Sequence, residues 1–355
     1  MGSEFHDVRG SGPLSRYFSV LNGDLPPKFR VCDRVSVESD LDSGFHDLIE
    51  LHEEYLDRER SVLKDIDDGE MDLTDFDVPE NSLLDLKEEI TQRILKKCCF
   101  CEHKCRIDRT GGEVGFCGVG SKSRISSEFV HMGEERELVP SYTIFFSGCT
   151  LKCQFCQNWD ISQYSQEGDE VSAEEISSKI SSRWGRGIRN VNWVGGDPTP
   201  NLHTVLSALK DVEVGIPSVW NSNMYLSETG MKLLAGTQDV YLTDFKYGNE
   251  DCAFKYSKVT DYWNVVTRNH KLADEDAELI IRHLVMPNHI ECCTRKILEW
   301  LASNLGTDVR LNLMGQYRPV AKAADFPEIS RGVSREEMSK ANQIAVELGF
   351  ENFRR

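Results

Sequence analysis

No run of eighteen apolar residues occurs anywhere in the chain, so no segment reads as a membrane-spanning helix. Positive charge is also scarce: 41 Lys and Arg stand against 59 Asp and Glu, a formal net charge of −18. That balance argues against unassisted binding to nucleic acid, where affinity comes from cations neutralising phosphates. The opening stretch "MGSEFHDVRGSGPLSRYFSV" lacks a basic segment followed by a long apolar one and does not read as a secretory signal, so a cytoplasmic location is expected. Internal repeats and low-complexity tracts are absent too. What remains is a soluble globular composition, 39% hydrophobic with a mean hydropathy of −0.42. At 355 residues the chain exceeds the size at which single cores usually stop growing, which favours one large domain with a smaller attachment.

Cysteine, by contrast, is plentiful, with twelve residues, and in a reducing compartment clustered thiols read as metal ligands before disulfides. Cys98, Cys101, Cys105 and Cys117 are spaced C-x2-C-x3-C-x11-C, with Cys99 as a possible spare. Four such ligands close either a zinc site or an iron–sulfur cluster, and the spacing does not separate the two. Gly111, Gly112, Gly115 and Gly118 fit both by letting backbone approach sulfur. Cys149, Cys153 and Cys156 follow an apolar strand-like run as C-x3-C-x2-C, and no Cys or His occurs in the next forty residues. A structural zinc site wants four closed ligands. Three thiolates on a four-iron cubane instead leave one iron open to a substrate. Cys292 and Cys293 read as packing thiols, Cys252 and Cys32 carry no pattern, and His131 reads as structural or rim-facing.

Composition divides the chain into an acidic, mainly helical extension (1–97), a Cys-rich metal-binding segment (98–130) and an alternating strand–helix region (131–355). In the first, Leu48, Leu51 and Tyr55 mark one amphipathic helix, and Leu83, Leu86, Ile90 and Ile94 another; both are expected to pad the outside of the catalytic region. In the last, "TIFFSG", "NVNWVGG", "PSVWNSN", "DVYLTDFK", "AELIIRHLVMP" and "DVRLNLMG" read as strands, with Trp193 and Trp220 as core. Capping boxes at Ser172 and Glu175 and at Ser334 and Glu337 start two of the helices. Six strands with crossovers between them predict an α/β fold, a parallel sheet too small for the eight-stranded barrel. Reactive groups gather at the C-terminal ends of such strands. Here those ends carry the three cysteines, "GGDPTP", "NSN", "DFK", "RHLVMPNH" and "MGQYRP".

With Phe155 as the aromatic residue of C-x3-C-x-Φ-C, this constellation resembles the radical S-adenosylmethionine (SAM) superfamily, and within it the pyruvate formate-lyase activating enzyme-like branch. The similarity covers residues 98 to about 320. It implies a partial (β/α)6 barrel, a [4Fe-4S] cluster on Cys149, Cys153 and Cys156, and reductive cleavage of SAM to a 5′-deoxyadenosyl radical under anaerobic conditions. It further implies SAM contacts from Gly195, Gly196, Asp197 (where the family has Glu), Asn221 and Asn223. Asp244, Lys246 and Arg282 are implied near SAM and the target, Arg282 as a partner for the SAM carboxylate. A reductant such as flavodoxin or ferredoxin is the implied partner. Hydrogen abstraction from an unknown substrate is the leading expectation, and activation of a glycyl radical enzyme is its alternative. Radical methylation is disfavoured because no cobalamin-binding segment is visible. A non-enzymatic iron–sulfur or zinc module is disfavoured by the strand-end motifs.

Overall fold

Strand and helix alternate from Ser141 onward, as the periodicity predicts, in a computed structural model described over residues 13–354. Most of the stretch that bears on a secretory signal lies outside the described residues. The strands are β1 (Ser123–His131), β2 (Ser141–Phe146), β3 (Asp169–Val171), β4 (Asn190–Gly195), β5 (Ser218–Ser222), β6 (Val240–Asp244), β7 (Glu278–Leu284), β8 (Arg310–Met314) and β9 (Phe353–Arg354). They form one sheet in the order β3-β1-β2-β4-β5-β6-β7-β8-β9. All pairings from β2 to β9 are parallel, and β1 and β3 extend the other edge antiparallel. Six of the parallel strands are the six that the sequence predicts. The sheet does not close, so the architecture is a partial (β/α)6 barrel with three added strands.

The helices are α1 (Ser15–Asn22), α2 (Lys28–Cys32), α3 (Phe45–Asp67), α4 (Leu83–Ile94), α5 (Trp159–Gln163), α6 (Ala173–Arg183), α7 (Leu202–Lys210), α8 (Glu228–Leu234), α9 (Glu250–Ser257), α10 (Tyr262–Asp276), α11 (Lys296–Asn304) and α12 (Arg335–Glu347). Among the described residues, none is long and apolar enough to cross a membrane. Both expected capping boxes are present, and a third, at Ser82 and Asp85, starts α4. Helix α11 is preceded by a π-helical turn, Ile290–Arg295. The predicted stripe Leu83, Leu86, Ile90 and Ile94 is buried, and α4 packs between α3 and α7 on the outer side of the sheet, as expected.

Helix α1 behaves differently. Side chains alternate across a strand, so Val219, Val240, Leu242 and Ile280 face the concave side, where they form a separate cluster with Leu14 and Tyr17 of α1. Their neighbours Trp220, Tyr241 and Ile281 pack into the main core on the helix side. Polar contacts lock α1 to the strand starts: the Arg16 and Tyr17 N–H groups donate to the Glu278 carboxylate at 2.8 and 2.6 Å, and Asn190 Nδ2 donates to the Tyr17 hydroxyl at 2.9 Å. The concave face is thus apolar and plugged at its N-terminal end. Toward the C-terminal end the same face carries Asn221, Asp244, Arg282 and Asn312, the last three in direct lateral register. The β1–β2 connection, residues 132–140, crosses from one edge of the parallel sheet to the other. Its Glu134 meets Arg282 at 3.3 Å, Glu135 accepts from Asn312 at 2.9 Å, and Glu137 meets Arg310 at 3.0 Å.

One buried acid sets a pH dependence. Glu59 on α3 is nearly inaccessible, Oε1 has no partner, and burial pushes the carboxyl up to about 7, against the pull of Lys28. A raised carboxyl favours the folded state while protonated, so stability falls as pH rises from about 4.5 to about 7. Glu59→Gln is expected to remove that fall and to stabilise the protein at pH 8 by about 1–3 kcal/mol, read from urea unfolding at pH 5 and 8.

Candidate active site

Beyond β2 the chain turns across the C-terminal rim and delivers Cys149, Cys153 and Cys156. The turn needs Gly196, where a Cβ would stand 2.8 Å from Ser162 Cα and closer still to Gly148 O. The N–H of Gly196 donates to Phe146 O at 2.9 Å, which ties the Gly195–Gly196 pair to the end of β2. Each sulfur has a polar neighbour: Asn223 Nδ2 donates toward Cys149 Sγ at 3.7 Å, Cys153 Sγ lies 3.0 Å from Ser257 Oγ, and Cys156 Sγ lies 3.2 Å from Ser162 Oγ. Phe155 is buried, with its ring against Tyr317 and Tyr247. Burial pushes the Cys149 thiol well up, with Asp197 and the other two cysteines adding. Burial likewise takes Cys153 to about 11 despite the nearby Lys246 ammonium. Thiols of this kind ionise when a metal takes the place of the proton. Three soft donors presented on one loop fit a [4Fe-4S] cluster that keeps an open iron.

Around the loop the expected strand-end residues do converge, though in more internal roles than a list of cofactor contacts suggests. Asp197, buried, accepts from Thr199 N at 2.9 Å, Ser222 Oγ at 3.0 Å and Asn223 N at 2.9 Å, and so fastens the end of β4 to that of β5. Asn223 clasps Thr150 through both amide atoms, at 2.9 and 3.1 Å. Asp244 is the centre of a charged triad, 2.7 Å from Lys246 Nζ and 2.8 Å from Arg282 Nε. Burial would raise its carboxyl, but Arg282 and Lys246 outweigh burial and hold it down to about 2. Arg282 also donates to Asn221 Oδ1 at 2.5 Å and meets Glu134, so all three guanidinium nitrogens are engaged. Asn192, on the same concave face and buried, has both amide atoms without a partner, a group that a polar ligand would satisfy.

Next to the rim, Cys98, Cys99, Cys101, Cys105 and Cys117 line a single cavity with Phe100, Ile107 and Arg109. Of the four glycines expected to admit sulfur, only Gly115 does so: a Cβ there would lie 2.8 Å from Cys105 Sγ, whereas Gly111 faces Asp108, Gly118 faces Ser165 and Gly112 faces open space. Gly115→Ala is accordingly expected to weaken metal retention at this second site several-fold while leaving the iron on Cys149, Cys153 and Cys156 in place, as read by metal analysis after chelator challenge. Sequence reasoning missed Arg109. It is fully buried, stacks over Phe100, donates to Pro200 O at 2.9 Å and approaches Cys98 Sγ at 3.9 Å. A cation there stabilises neighbouring thiolates and pins the segment to the loop after β4. The site also abuts the first cysteine loop, since the His103 ring bonds Thr150 O at 2.8 Å.

A family model described as the radical SAM superfamily matches residues 143–301. The uncharacterized protein MJ0674 of Methanocaldococcus jannaschii is 45% identical over 344 residues, 95% of this chain and 98% of that protein. A pyruvate formate-lyase-activating enzyme of Listeria monocytogenes serovar 1/2a is 28% identical over 158 residues, 41% of this chain and 62% of that enzyme. Among solved structures, Streptococcus suis SuiB bound to S-adenosylmethionine aligns with a TM-score of 0.44 at 14% identity, over 58% of this chain and 47% of SuiB. HydG, a maturase of the [FeFe]-hydrogenase, aligns with a TM-score of 0.45 at 12% identity, over 99% of this chain and 67% of HydG. Residues 143–301 form a radical SAM superfamily domain, and the chain belongs to one family with MJ0674, with which it shares close to its full length.

Proposed function

We propose that the protein is a radical SAM enzyme that abstracts hydrogen from a polar substrate held on the concave face of the partial barrel. The observation that carries this reading is the convergence of the three-cysteine loop with Asn192, Asn221, Asp244 and Arg282 on one side of the sheet. When bound, the cluster and SAM supply an electron and a 5′-deoxyadenosyl radical. Cys149, Cys153 and Cys156 hold the cluster, and Ser257, Ser162 and Asn223 direct polar hydrogens at their sulfurs. Asp197 and Asn223 keep the β4 and β5 ends against the cysteine loop, and Gly195 and Gly196 let the end of β4 pack directly on the backbone of Phe146 and Gly148, beside that loop. Arg282 pairs with Asp244 and Glu134, and its guanidinium would hold the SAM carboxylate in place of Glu134. The helix α1 plug closes the opposite end of the barrel and excludes water. The division into extension (1–97), Cys-rich segment (98–130) and barrel (131–355) belongs to the same reading, as do a flavodoxin- or ferredoxin-type donor and a cytoplasmic location.

The test is anaerobic reconstitution with iron and sulfide, followed by iron counting and measurement of 5′-deoxyadenosine under a strong reductant. Absence of 5′-deoxyadenosine from protein holding a full cluster would sink the proposal. The second site takes zinc or an iron–sulfur cluster, and a variant lacking Cys98, Cys101, Cys105 and Cys117 separates them. Loss of one zinc with all cluster iron retained makes it structural; loss of iron makes it a relay or substrate anchor.

Glycyl radical activation is favoured by one observation, the Asp244–Lys246–Arg282 triad in a chain partly similar to a pyruvate formate-lyase-activating enzyme. Against a lateral approach by a partner loop, residues 132–140 already span the open side of the barrel. A glycyl radical signal on a co-incubated partner enzyme tests this directly.

A further inference from the structure

Three cysteines that belong to neither site meet at the same rim. Cys252 on α9 and the adjacent Cys292 and Cys293 on the π-helical turn have Sγ atoms all within 4.8 Å of one another. The sequence pattern treats Cys292 and Cys293 as packing thiols and Cys252 as isolated, and only the tertiary fold joins segments forty residues apart.

The arrangement is built and not incidental. Neighbouring side chains on a regular α-helix diverge by about 100°. The π turn, a feature frequent at functional positions, instead leaves the Cys292 and Cys293 sulfurs 4.0 Å apart and on the side of Cys252. Asn249 joins the two segments: its Oδ1 accepts from Cys252 N at 2.9 Å, and its Nδ2 donates to Cys292 O at 2.9 Å and toward Cys293 Sγ at 3.6 Å. Gly248 lets them meet, since a Cβ there would lie 2.8 Å from Cys292 O and from Cys293 Cα. Cys293 is buried, while Cys252 and Cys292 are half-buried, so the open side of the triad faces solvent.

We infer that Cys252, Cys292 and Cys293 form a binding site for one thiophilic metal ion, Zn2+ in the first instance. Thiolate sulfur selects soft ions over hard oxygen-seeking cations. Zinc–sulfur bonds of about 2.3 Å in a tetrahedron place sulfurs about 3.8 Å apart. The triad reaches that spacing by side-chain rotation, and water completes the fourth corner. Such an ion ties the start of α9 to the β7–α11 connection. Helix α9 ends at Ser257, the neighbour of Cys153, so the tie braces the wall of the radical SAM site.

The test uses the intact protein with its iron–sulfur content reconstituted and excess metal stripped by a mild chelator. Iodoacetamide labelling, with and without added Zn2+, is followed by peptide mass spectrometry, which reads Cys252 and Cys292 separately from all other cysteines. Zn2+ is expected to slow alkylation of both by about tenfold or more, because a coordinated thiolate is no longer a free nucleophile. Anaerobic Co2+ titration should show one more equivalent with thiolate-to-cobalt absorption in the parent than in Cys252→Ser/Cys292→Ser, at equal iron content. Unchanged alkylation rates, or a Cys292–Cys293 disulfide in anaerobically prepared protein, would overturn the inference. If the double variant fails to fold, the labelling experiment alone decides.

Discussion

Replacing Cys149, Cys153 or Cys156 by alanine is expected to lower 5′-deoxyadenosine release by about a thousandfold or more, about 4 kcal/mol in the barrier. The three sulfurs are not interchangeable in their surroundings, yet each is needed, because a cluster that loses one of three protein ligands is no longer held. Cys149 is the most enclosed, with Asn223 Nδ2 and Leu151 N both directed at its sulfur. Cys153 and Cys156 each meet a serine hydroxyl. Alanine removes one sulfur from each position without adding bulk, so the fold and the cavity lined by Cys98, Cys101, Cys105 and Cys117 should survive, which circular dichroism and the metal content proposed for that cavity will report. Full activity in any one of the three variants is the result that defeats the mechanism.

Arg282→Met is expected to be the most damaging change away from the cysteines, costing about 3–5 kcal/mol of stability through loss of one partner from a buried charge network. The guanidinium faces Asp244, Glu134 and Asn221, and removing it leaves two carboxylates desolvated, Asp244 with Lys246 and Glu134 with the His131 ring as neighbours. The sign of the pH effect follows from Asp244. Its carboxyl is held down to about 2, so it stabilises the folded state above its ordinary value of 3.8 and loses that contribution as pH falls toward 2. In Arg282→Met the restraint is relaxed, and acid unfolding should begin at higher pH. Arg282→Met/Asp244→Asn should recover part of the lost stability by removing the stranded charge; a double variant no more stable than the single one would show that the loss comes from packing.

Much of the site was legible because its signals are local. Cys149, Cys153, Phe155 and Cys156 sit within eight residues, and "GGDP", "NSN" and "DFK" each follow a short segment that reads as a buried strand. Strand ends in a parallel sheet share one rim, so order along the chain was enough to bring these residues together. The roles within the rim were less legible. Asp197 is implied by resemblance to be a SAM contact, but its oxygens are used by Thr199, Ser222 and Asn223. Arg282 reads as a free fork, but Glu134 reaches it from a loop nearly 150 residues earlier.

The amino-acid order by itself determined six of the seven parallel strands, the cysteine loop and the rim on which it lies, because hydrophobic periodicity and short-range spacing are properties of neighbouring residues. Only the tertiary structure decided that α1 plugs the barrel, that residues 132–140 span its open side, that Arg109 anchors the second cysteine site and that Cys252 meets Cys292 and Cys293. Each of these joins segments distant in sequence, and such contacts are chosen by the burial and pairing of charge and sulfur in three dimensions, which leave no periodic mark on the chain.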